Sequence, residues 1–437
     1  MSDDMSGKVL NVGSRAWLRR VELSVLAAMG SIYMLAFFHR VAVPGTIFNQ
    51  LQMDFNMTAS AVAAVGAVFL YTYGLSQFLI GPVVDRFGGM KVLIFGGAMM
   101  SIGCFTFAMS GTPAMLYFSR VILALGSATM FLCIVKEIDR MFGAWHFTML
   151  LSIMLFMGGL GGVFGTAPFD WSVTAFGWRK TLMAVGVITT LSVVAVAILY
   201  LIVAKKLPPE KISAGGGSYM EVVRNPSNIP VILAGCVNYA TYLVMQSVIG
   251  KKFLEDYLGA KSSTAALCTM AMMATLMLLM PVVGFASQLI GNRRKLVIVP
   301  SVILAAIAVS GMLGGVWFGN KSLAYYMCCM IALAVSASSN PVVPSSIKEL
   351  NHPDAVGKSV GFYNGMLYVV IALSVNAAGL IMDQFKDAAV VTSSAVVYPA
   401  SAYVAVFSCL FGMALISMVS SFFIRETFGA CHYPDSE

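Results

Sequence analysis

The chain has 437 residues, of which 59% are apolar and only 11% are charged. Soluble domains carry about 25% charged residues, so this composition excludes an ordinary soluble fold. A membrane-spanning helix needs about 20 mostly apolar residues, and twelve such helices would use about 240 residues, nearly all the apolar residues available. Together with a mean hydropathy of +0.86, the composition predicts a polytopic helical membrane protein.

The net charge of +8 arises from 27 Lys and Arg against 19 Asp and Glu. In a soluble protein this excess would suggest a nucleic-acid partner. Here membrane topology explains it better, and no nucleic-acid partner is expected. The eight cysteines lie mostly in apolar runs without metal-ligand spacing, so neither a metal nor another cofactor is expected.

Twelve apolar runs, each bounded by charged or turn-rich residues, predict twelve helices. The first run follows a basic tail but is too long for the core of a signal peptide, so it is predicted to remain as the first helix. The predicted helices span residues 23–50, 61–82, 91–110, 113–136, 145–168, 180–203, 229–258, 263–289, 295–318, 322–348, 356–382 and 399–424.

The most polar internal connection divides these helices six and six. It contains Pro208, Pro209 and a glycine run at 215–217, which is typical of a flexible linker. The predicted fold is an all-α polytopic membrane protein with two pseudo-symmetric six-helix bundles. Its predicted parts are a cytoplasmic tail (1–22), an N-terminal bundle (23–203), a cytoplasmic linker (204–228), a C-terminal bundle (229–424) and a second cytoplasmic tail (425–437).

The distribution of basic residues predicts the orientation in the membrane. Cytoplasmic loops carry an excess of Lys and Arg. With both termini cytoplasmic, eighteen of these residues fall on the cytoplasmic side and five outside, namely Arg179, Lys180, Lys261, Lys321 and Lys386. The bias predicts a multi-pass protein of a cytoplasmic-type membrane with both termini in the cytoplasm.

Two short sequences recur at corresponding places in the two halves. GPVVDRFG at 81–88 recurs loosely as GFASQLIG at 284–291, and VKEI at 135–138 recurs as IKEL at 347–350. These echoes indicate duplication of a six-helix unit, whose parallel halves would face each other around a central site.

The residues 81–91, GPVVDRFGGMK, resemble the loop between helices 2 and 3 of the major facilitator superfamily. That loop has Gly, three residues, Asp-Arg, one residue, Gly and then basic residues. Gly89 and Met90 depart from it, since the family often has Arg there. Further similarities are Arg120 with Gly126, although Ala124 replaces a frequent glycine, and the sequences at 177–179 and 425–427.

The resemblance implies a secondary transporter that works by alternating access around a site near the bilayer midplane. It also implies gating roles for three residues of this loop. Asp85 would dock at neighbouring helix ends, and Arg86 with Lys91 would complete a breakable charge cluster. The alternative is that Arg86 and Lys91 only orient the protein.

Two arginines lie within predicted helices, where a buried charge costs at least about 2.5–3.5 kcal/mol. Arg40 lies in the first helix and Arg120 in the fourth. No Asp or Glu falls clearly within helices 1 to 6 to neutralise them, so an anionic substrate is the expected complement. For Arg120, a structural link between helices is the alternative.

In helix 7, Tyr239, Tyr242 and Gln246 recur at helical spacing and are predicted to line a polar stripe facing the substrate. Lys251 and Lys252 follow Gly250 and would join this stripe only if the helix kinks or unwinds there. Pairing of the two lysines with Glu255 and Asp256 is the alternative.

Three polar residues of the C-terminal half are further substrate-binding candidates: Asn340, beside the helix breaker Pro341, Asn364, and Tyr368. Hydrogen bonding between helices is the alternative reading of these residues.

Basic residues in helices 1, 4 and 7 resemble the organic-anion branches of the superfamily, including the anion:cation symporters. Many of those symporters have an acidic residue before the helix 1 Arg, where this chain has His39. His39 is therefore a candidate for proton coupling, because histidine titrates near neutral pH. Packing of a hydrogen-bonded histidine is the alternative.

We therefore predict a monomeric transporter of a small organic anion such as a carboxylate or sugar acid. A coupled proton or counter-ion and the lipid bilayer are the other expected partners. An enzyme is not expected, since neither a nucleophile elbow nor a Gly-rich phosphate loop is present. Multidrug or metabolite efflux, organophosphate exchange and a non-transporting membrane sensor are the alternatives. Efflux is weakened because Thr166 follows Gly165 where drug antiporters have Gly-Pro.

Overall fold

The computed structural model describes residues 12–203, 219–352, 356–392 and 395–429, with only the backbone described at some positions, including Asp85 and 142–149. Its α-helices are α1 (Val12–Ala42), α2 (Phe48–Phe55), α3 (Ala59–Phe87), α4 (Gly89–Ala108), α5 (Pro113–Phe164), α6 (Ala167–Phe176), α7 (Trp178–Val203), α8 (Tyr219–Arg224), α9 (Asn228–Val244), α10 (Gly250–Leu258), α11 (Ser262–Leu289), α12 (Arg294–Trp317), α13 (Leu323–Ala337), α14 (Val342–Glu349), α15 (Val356–Asp383) and α16 (Ala400–Phe422). A π-helical turn (Met245–Ile249), two 3-10 turns (Gly45–Ile47, Lys386–Ala388) and an antiparallel pair, β1 (Val390–Val391) with β2 (Val396–Val397), complete the structure.

Within the described residues, eleven helices are long and apolar enough to cross a membrane, and a bent pair (Ile153–Phe164 with Ala167–Phe176) makes a twelfth span. The prediction of twelve membrane helices is confirmed. Spans 1–6 form the N-terminal half and spans 7–12 the C-terminal half. Because the number of spans is even, α1 begins and α16 ends on one side, the terminal side; the opposite side is called the distal side.

Spans 4 and 5 are assigned to a single helix, α5, although the sequence predicts a break at 137–144. Arg120 and Gly165 nevertheless both lie against the distal end of α1, at His39 and Ala42. A straight helix would carry these two residues about 65 Å apart. The chain must therefore reverse direction within α5, so that it crosses the membrane twice, as predicted.

Span 1 is shorter than predicted, because α1 ends at Ala42 rather than at residue 50. Pro44 cannot donate a helical hydrogen bond and disfavours helical geometry in the residue before it. The apolar run continues past this point and remains buried in the turn Gly45–Ile47 and at Phe48. Apolar composition alone therefore overestimates the length of the helix.

Three spans are interrupted. Span 5 bends by 41° between α5 and α6, and span 10 breaks between α13 and α14, at the predicted breaker Pro341. Span 7 contains the π-helical turn directly before Gly250. The sequence alone does not decide whether the helix kinks or unwinds at this position. Span 7 is also central, since 83% of the residues in its most apolar stretch are buried, against 28% for span 6.

The predicted linker at 204–228 is only partly described, because residues 204–218 lie outside the described ranges. Its remainder contradicts the expectation of a flexible chain. Tyr219–Arg224 form α8, and the Asn228 side chain donates to the Val222 carbonyl and to Asn351. This hydrogen bonding fixes the start of span 7 against the end of span 10.

Glycines allow the tight turns and close contacts of the bundle. Gly88 has a φ of +90° and is the single residue between α3 and α4, a conformation that other residues rarely adopt. At Gly161, a Cβ atom would lie 1.8 Å from the Met34 carbonyl oxygen. The backbones of α5 and α1 are therefore in direct contact at Gly161, as at small-residue interfaces of membrane helices.

We expect Gly161→Ala to destabilise the protein, because the added methyl group would overlap the Met34 carbonyl and force α1 and α5 apart. Overpacking of this kind costs about 1–3 kcal/mol. The measurement is the thermal unfolding midpoint of the purified protein in detergent. Gly412→Ala is the matched control, because a Cβ atom at Gly412 meets no atom within 4 Å. Equal midpoints for the two variants would contradict the close contact.

Candidate functional site

The Arg40 guanidinium lies between the two halves, within three aromatic rings. Its central carbon lies 4.4 Å from the ring centroid of Phe37, 4.5 Å from that of Tyr73 and 5.0 Å from that of Tyr368. The Tyr368 hydroxyl also accepts a hydrogen bond from Nη1 at 2.6 Å. We call Phe37, Tyr73 and Tyr368 the Arg40 cage. Such rings stabilise a cation through their electron-rich faces.

The cage lies near mid-depth in the bundle, although Arg40 is only two residues from the end of α1. Helical side chains point back toward the helix N-terminus, so the guanidinium reaches the ring of Phe37, one turn earlier. Tyr73 and Tyr368 lie in the middle of spans 2 and 11. The correction to span 1 therefore leaves the charge deep within the protein.

One edge of the guanidinium has no hydrogen-bond partner among the residues that the structure describes. The Arg40 side chain is only 9% exposed, and its buried Nε makes no hydrogen bond. Among the described residues, no Asp or Glu forms an ion pair with it. Nε and Nη2 together present the two parallel N–H groups that bind a carboxylate in a bidentate manner. This edge can therefore accept an anionic group.

Arg120 is fully buried in the N-terminal half and contacts the backbone of two other spans. Nε donates to the Val65 carbonyl, Nη1 to that of His39 and Nη2 to that of Val43, at 2.8–3.1 Å. The Phe69 ring covers the guanidinium at 4.3 Å. These contacts favour the structural alternative for Arg120, because each of its nitrogens already holds a backbone carbonyl.

The predicted stripe of span 7 lies at the interface between the halves. Tyr239 is near enough to Arg40 to interact with it electrostatically, and its ring contacts that of Tyr242 at 5.7 Å. Tyr242 itself is buried against Met273. Gln246 lies in the π-helical turn, and both polar atoms of its amide are buried without a partner. Unpartnered buried polar groups are rare and call for a ligand or another explanation.

The turn before Gly250 directs both lysines toward the N-terminal half. Lys251 Nζ lies 2.5 Å from Asp170 Oδ1 and donates to the Thr46 carbonyl at 2.7 Å. Lys252 Nζ donates to Asn49 Oδ1 at 2.8 Å and pairs with Asp256 at 3.0 Å. The predicted alternative of pairing with Glu255 and Asp256 therefore holds for Lys252 and also for Lys251, which is within ion-pair distance of Glu255. The turn is the reason that both lysines face the interface.

Further contacts extend this connection. Asn49 donates to Glu255 Oε2 at 2.9 Å, Lys251 lies 3.6 Å from Glu255 Oε1, and Ser262 donates to Asp170 at 2.9 Å. We call the group of six residues that joins the halves on the distal side the distal latch. Its members are Asn49, Asp170, Lys251, Lys252, Glu255 and Asp256.

Asp170 corrects one expectation from the sequence. It is an acidic residue of span 5, beyond the bend, and only 1% exposed. No acidic side chain is expected within helices 1 to 6 from the sequence, because the predicted helix 5 ends at residue 168. Asp170 neutralises Lys251 rather than either arginine, so the Arg40 charge remains uncompensated.

The remaining candidates of the C-terminal half make hydrogen bonds between helices. Asn340 Oδ1 accepts from the Tyr363 hydroxyl at 2.8 Å, and Asn364 donates to Gln77 in the other half at 3.3 Å. Of these candidates, only Tyr368 contacts Arg40 directly.

The predicted gating loop is described only in part. Arg86 and Lys91 are exposed on the terminal side, and the Asp85 side chain lies outside the described residues. At the N-terminus of α4, where a carboxylate is favoured, the Met90 amide donates to Glu137 Oε1 at 3.0 Å. The gating roles of Asp85, Arg86 and Lys91 remain predictions.

His39 lies in the N-terminal half and is 1% exposed, with Nε2 unpartnered. Its carbonyl accepts from Arg120. Protonation would place a second buried cation beside the Arg120 guanidinium, which is unfavourable in a medium of low polarity. This neighbour weakens the case for His39 as a proton carrier.

Sequence analysis missed Phe37, Tyr73, Asn49 and Asp170. Phe37 precedes Arg40 by one helical turn, a spacing that would have suggested a contact. Tyr73 and Asp170 lie in spans 2 and 5 and Asn49 lies in α2 between spans 1 and 2, and no local sequence pattern indicates that they meet Arg40 or the lysines.

A family model described as Major Facilitator Superfamily matches residues 26–374. The chain belongs to the major facilitator superfamily. It is a membrane transporter of that superfamily and not an enzyme, as predicted. The solved structures agree, since a bacterial homologue of the human lysosomal transporter Spinster, inward-facing and unoccupied, superposes with a TM-score of 0.73 at 15% identity and covers 92% of this chain and 96% of its own.

A mutant of the nucleoside transporter NupG superposes with a TM-score of 0.71 at 12% identity, over 93% of this chain and 100% of its own. At such low identity these two structures show the fold alone.

Similar sequences cover a smaller part of the transporter. The uncharacterized transporter YybO of Bacillus subtilis (strain 168) is 26% identical over 38% of this chain, and the probable sulfoacetate transporter SauU of Cupriavidus necator is 23% identical over 38%. Human monocarboxylate transporter 7 is 26% identical over 33%. The matches span 38%, 38% and 28% of these relatives' own lengths.

We expect Asp170→Asn to loosen the distal latch, because Lys251 would keep a buried charge without its counter-charge, and such a loss costs about 3–5 kcal/mol. The reporter is Gln52→Cys in a background without native cysteines. Gln52 is 3% exposed and donates to Tyr398 in the other half. We predict that a hydrophilic maleimide labels this cysteine about tenfold faster or more in the Asp170 variant.

Arg179→Gln is the matched control for this experiment. It removes an exposed ion pair with Asp54 on the same side, but both partners belong to the N-terminal half. Equal acceleration of labelling in this control, or none in Asp170→Asn, would contradict a latch between the halves.

Proposed function

We propose that this transporter is a secondary active carrier that moves a small organic anion by alternating access, with the anionic group bound to Arg40. The observation that carries the proposal is the free Nε/Nη2 edge of a buried guanidinium at the interface between the halves. A carboxylate or sulfonate would complete its hydrogen bonds and neutralise its charge.

The energetics of burial support this assignment. A cation deep in a membrane protein is costly unless it is paired or solvated, and the cage supplies only ring faces and one hydroxyl. An anion gains both the electrostatic attraction and the hydrogen bonds that the protein leaves unmade. A cationic drug would instead be repelled by Arg40, so the cage argues against export of cationic drugs.

The relatives' names support the same substrate class. One similar protein is named for sulfoacetate and another for monocarboxylates, both organic anions. The regions of similarity include neither the whole of this chain nor the whole of those proteins, so the names support the anion proposal without defining the substrate.

The distal latch supplies the conformational part of the proposal. In this structure, Lys251 and Asp170 hold the halves together on the distal side. Opening that side would separate the two charges, and each would then be solvated in the opened vestibule. The positive-inside bias supports a distal side that faces away from the cytoplasm.

We expect Arg40→Gln to lower anion uptake about 10–100-fold, because a charge-assisted hydrogen bond of about 1.5–3 kcal/mol is lost. The measurement is uptake of radiolabelled carboxylates, sulfonates and sugar acids into proteoliposomes, beside the thermal midpoint in detergent. Arg179→Gln removes an exposed guanidinium and should transport normally. Full anion uptake by Arg40→Gln with an unchanged midpoint would refute the proposal.

A second prediction concerns coupling. Because Arg120 disfavours a charged imidazole at position 39, we expect His39→Gln to retain the dependence of uptake on a pH gradient. The measurement compares uptake with and without an inward proton gradient in the variant and the parent protein. Loss of the gradient effect, with exchange intact, would instead identify His39 as the proton carrier.

A further inference from the structure

The charges at the interface between the halves limit how many anionic groups the substrate can carry. Among the described residues, four buried arginine and lysine side chains lie away from the terminal side: Arg40, Arg120, Lys251 and Lys252. A bound anion can use only those whose donors are free and whose charge is not already neutralised. The contacts of each residue show whether its donors are free or already engaged.

Arg120 and the two lysines are already engaged. Each nitrogen of Arg120 donates to a backbone carbonyl within the N-terminal half. Lys251 pairs with Asp170, and Lys252 pairs with Asp256. A second anionic group would have to displace one of these partners, and the displaced carboxylate would then lie buried without its cation.

The distal latch also carries an excess of negative charge. Its two lysines face three carboxylates, those of Asp170, Glu255 and Asp256, so its formal charge is −1 when all five groups are ionised. An anionic group near the latch would therefore find no lysine without an acidic partner.

Gln246 lies between the cage and the latch along span 7. It follows Tyr239, which interacts with Arg40, by seven residues and precedes Lys251 by five. At the helical rise these separations are about 10 Å and about 7 Å. Its unpartnered amide offers one donor group and one acceptor but no charge. The position next to the cage on the distal side is therefore polar and neutral.

We propose that the substrate carries a single anionic group, a carboxylate or sulfonate held by Arg40, and that a neutral hydrogen-bonding group such as a hydroxyl or carbonyl reaches Gln246. Dicarboxylates and phosphate esters with two charges are excluded, because the part of the chain that the structure describes offers one free cation at this site. This inference rests on the proposed function. It adds that the substrate carries one charge and that its other end is a neutral hydrogen-bonding group.

The experiment measures uptake into proteoliposomes of the full chain from a panel of paired acids. Each monocarboxylate, plain or hydroxylated, is matched with the dicarboxylate of the same carbon skeleton, and the two compete at equal concentration. We expect the monocarboxylate to be taken up about tenfold better or more, which corresponds to about 1.4 kcal/mol. Hydroxylated acids should exceed the plain acids.

Two variants test the assignment of the neutral end. Gln246→Lys adds a cation where the amide lies and should raise the uptake of dicarboxylates relative to monocarboxylates about tenfold. Gln246→Met has similar size without polar atoms. It should lose the preference for hydroxylated acids and keep the preference for one charge.

The outcomes separate this inference from the proposed function. Dicarboxylate uptake equal to monocarboxylate uptake, and lost in Arg40→Gln, would overturn the single-charge inference and leave anion transport at Arg40 standing. Uptake of no acid in the panel, with transport of neutral or cationic solutes, would overturn both. An unchanged preference in Gln246→Lys would overturn the placement of the neutral end.

Discussion

An arginine buried without a counter-charge is the constraint on which the interpretation of this transporter depends. Arg40 lies within three rings from spans 1, 2 and 11, so both halves of the protein solvate its charge. Ring faces and one tyrosine hydroxyl satisfy only part of a guanidinium. In the proposed function, an anion binds the remaining edge at the interface between the halves.

The π-helical turn in span 7 connects this site with the distal latch. It rotates Lys251 and Lys252 toward Thr46, Asn49 and Asp170 of the other half, and it contains the unpartnered Gln246. Turns of this type are rare and frequently occur at functional sites. The π-helical turn therefore places a candidate binding residue, Gln246, and a lysine of the distal latch, Lys251, on the same helix.

The sequence echo between the halves corresponds to a shared structural role. Glu137 accepts a hydrogen bond from Met90 at the start of span 3, and Glu349 binds the Arg294 side chain at the start of span 9. Glu426 also accepts from the amides of Arg294 and Lys295. Carboxylates are favoured at helix N-termini, which explains the positions of Glu137 and Glu426, whereas Glu349 neutralises the Arg294 side chain.

The sequence alone determined the class and the number of spans and indicated Arg40 as a candidate, because apolar length and the cost of a buried charge are local properties of the chain. It overestimated span 1, since apolar residues continue beyond the helix. Only the tertiary structure decided that Arg120 binds backbone, that Lys251 meets Asp170 and that Tyr73 meets Arg40. These contacts join residues distant in sequence, and their positions follow from how twelve spans pack and where three of them break, which no periodicity in the sequence records.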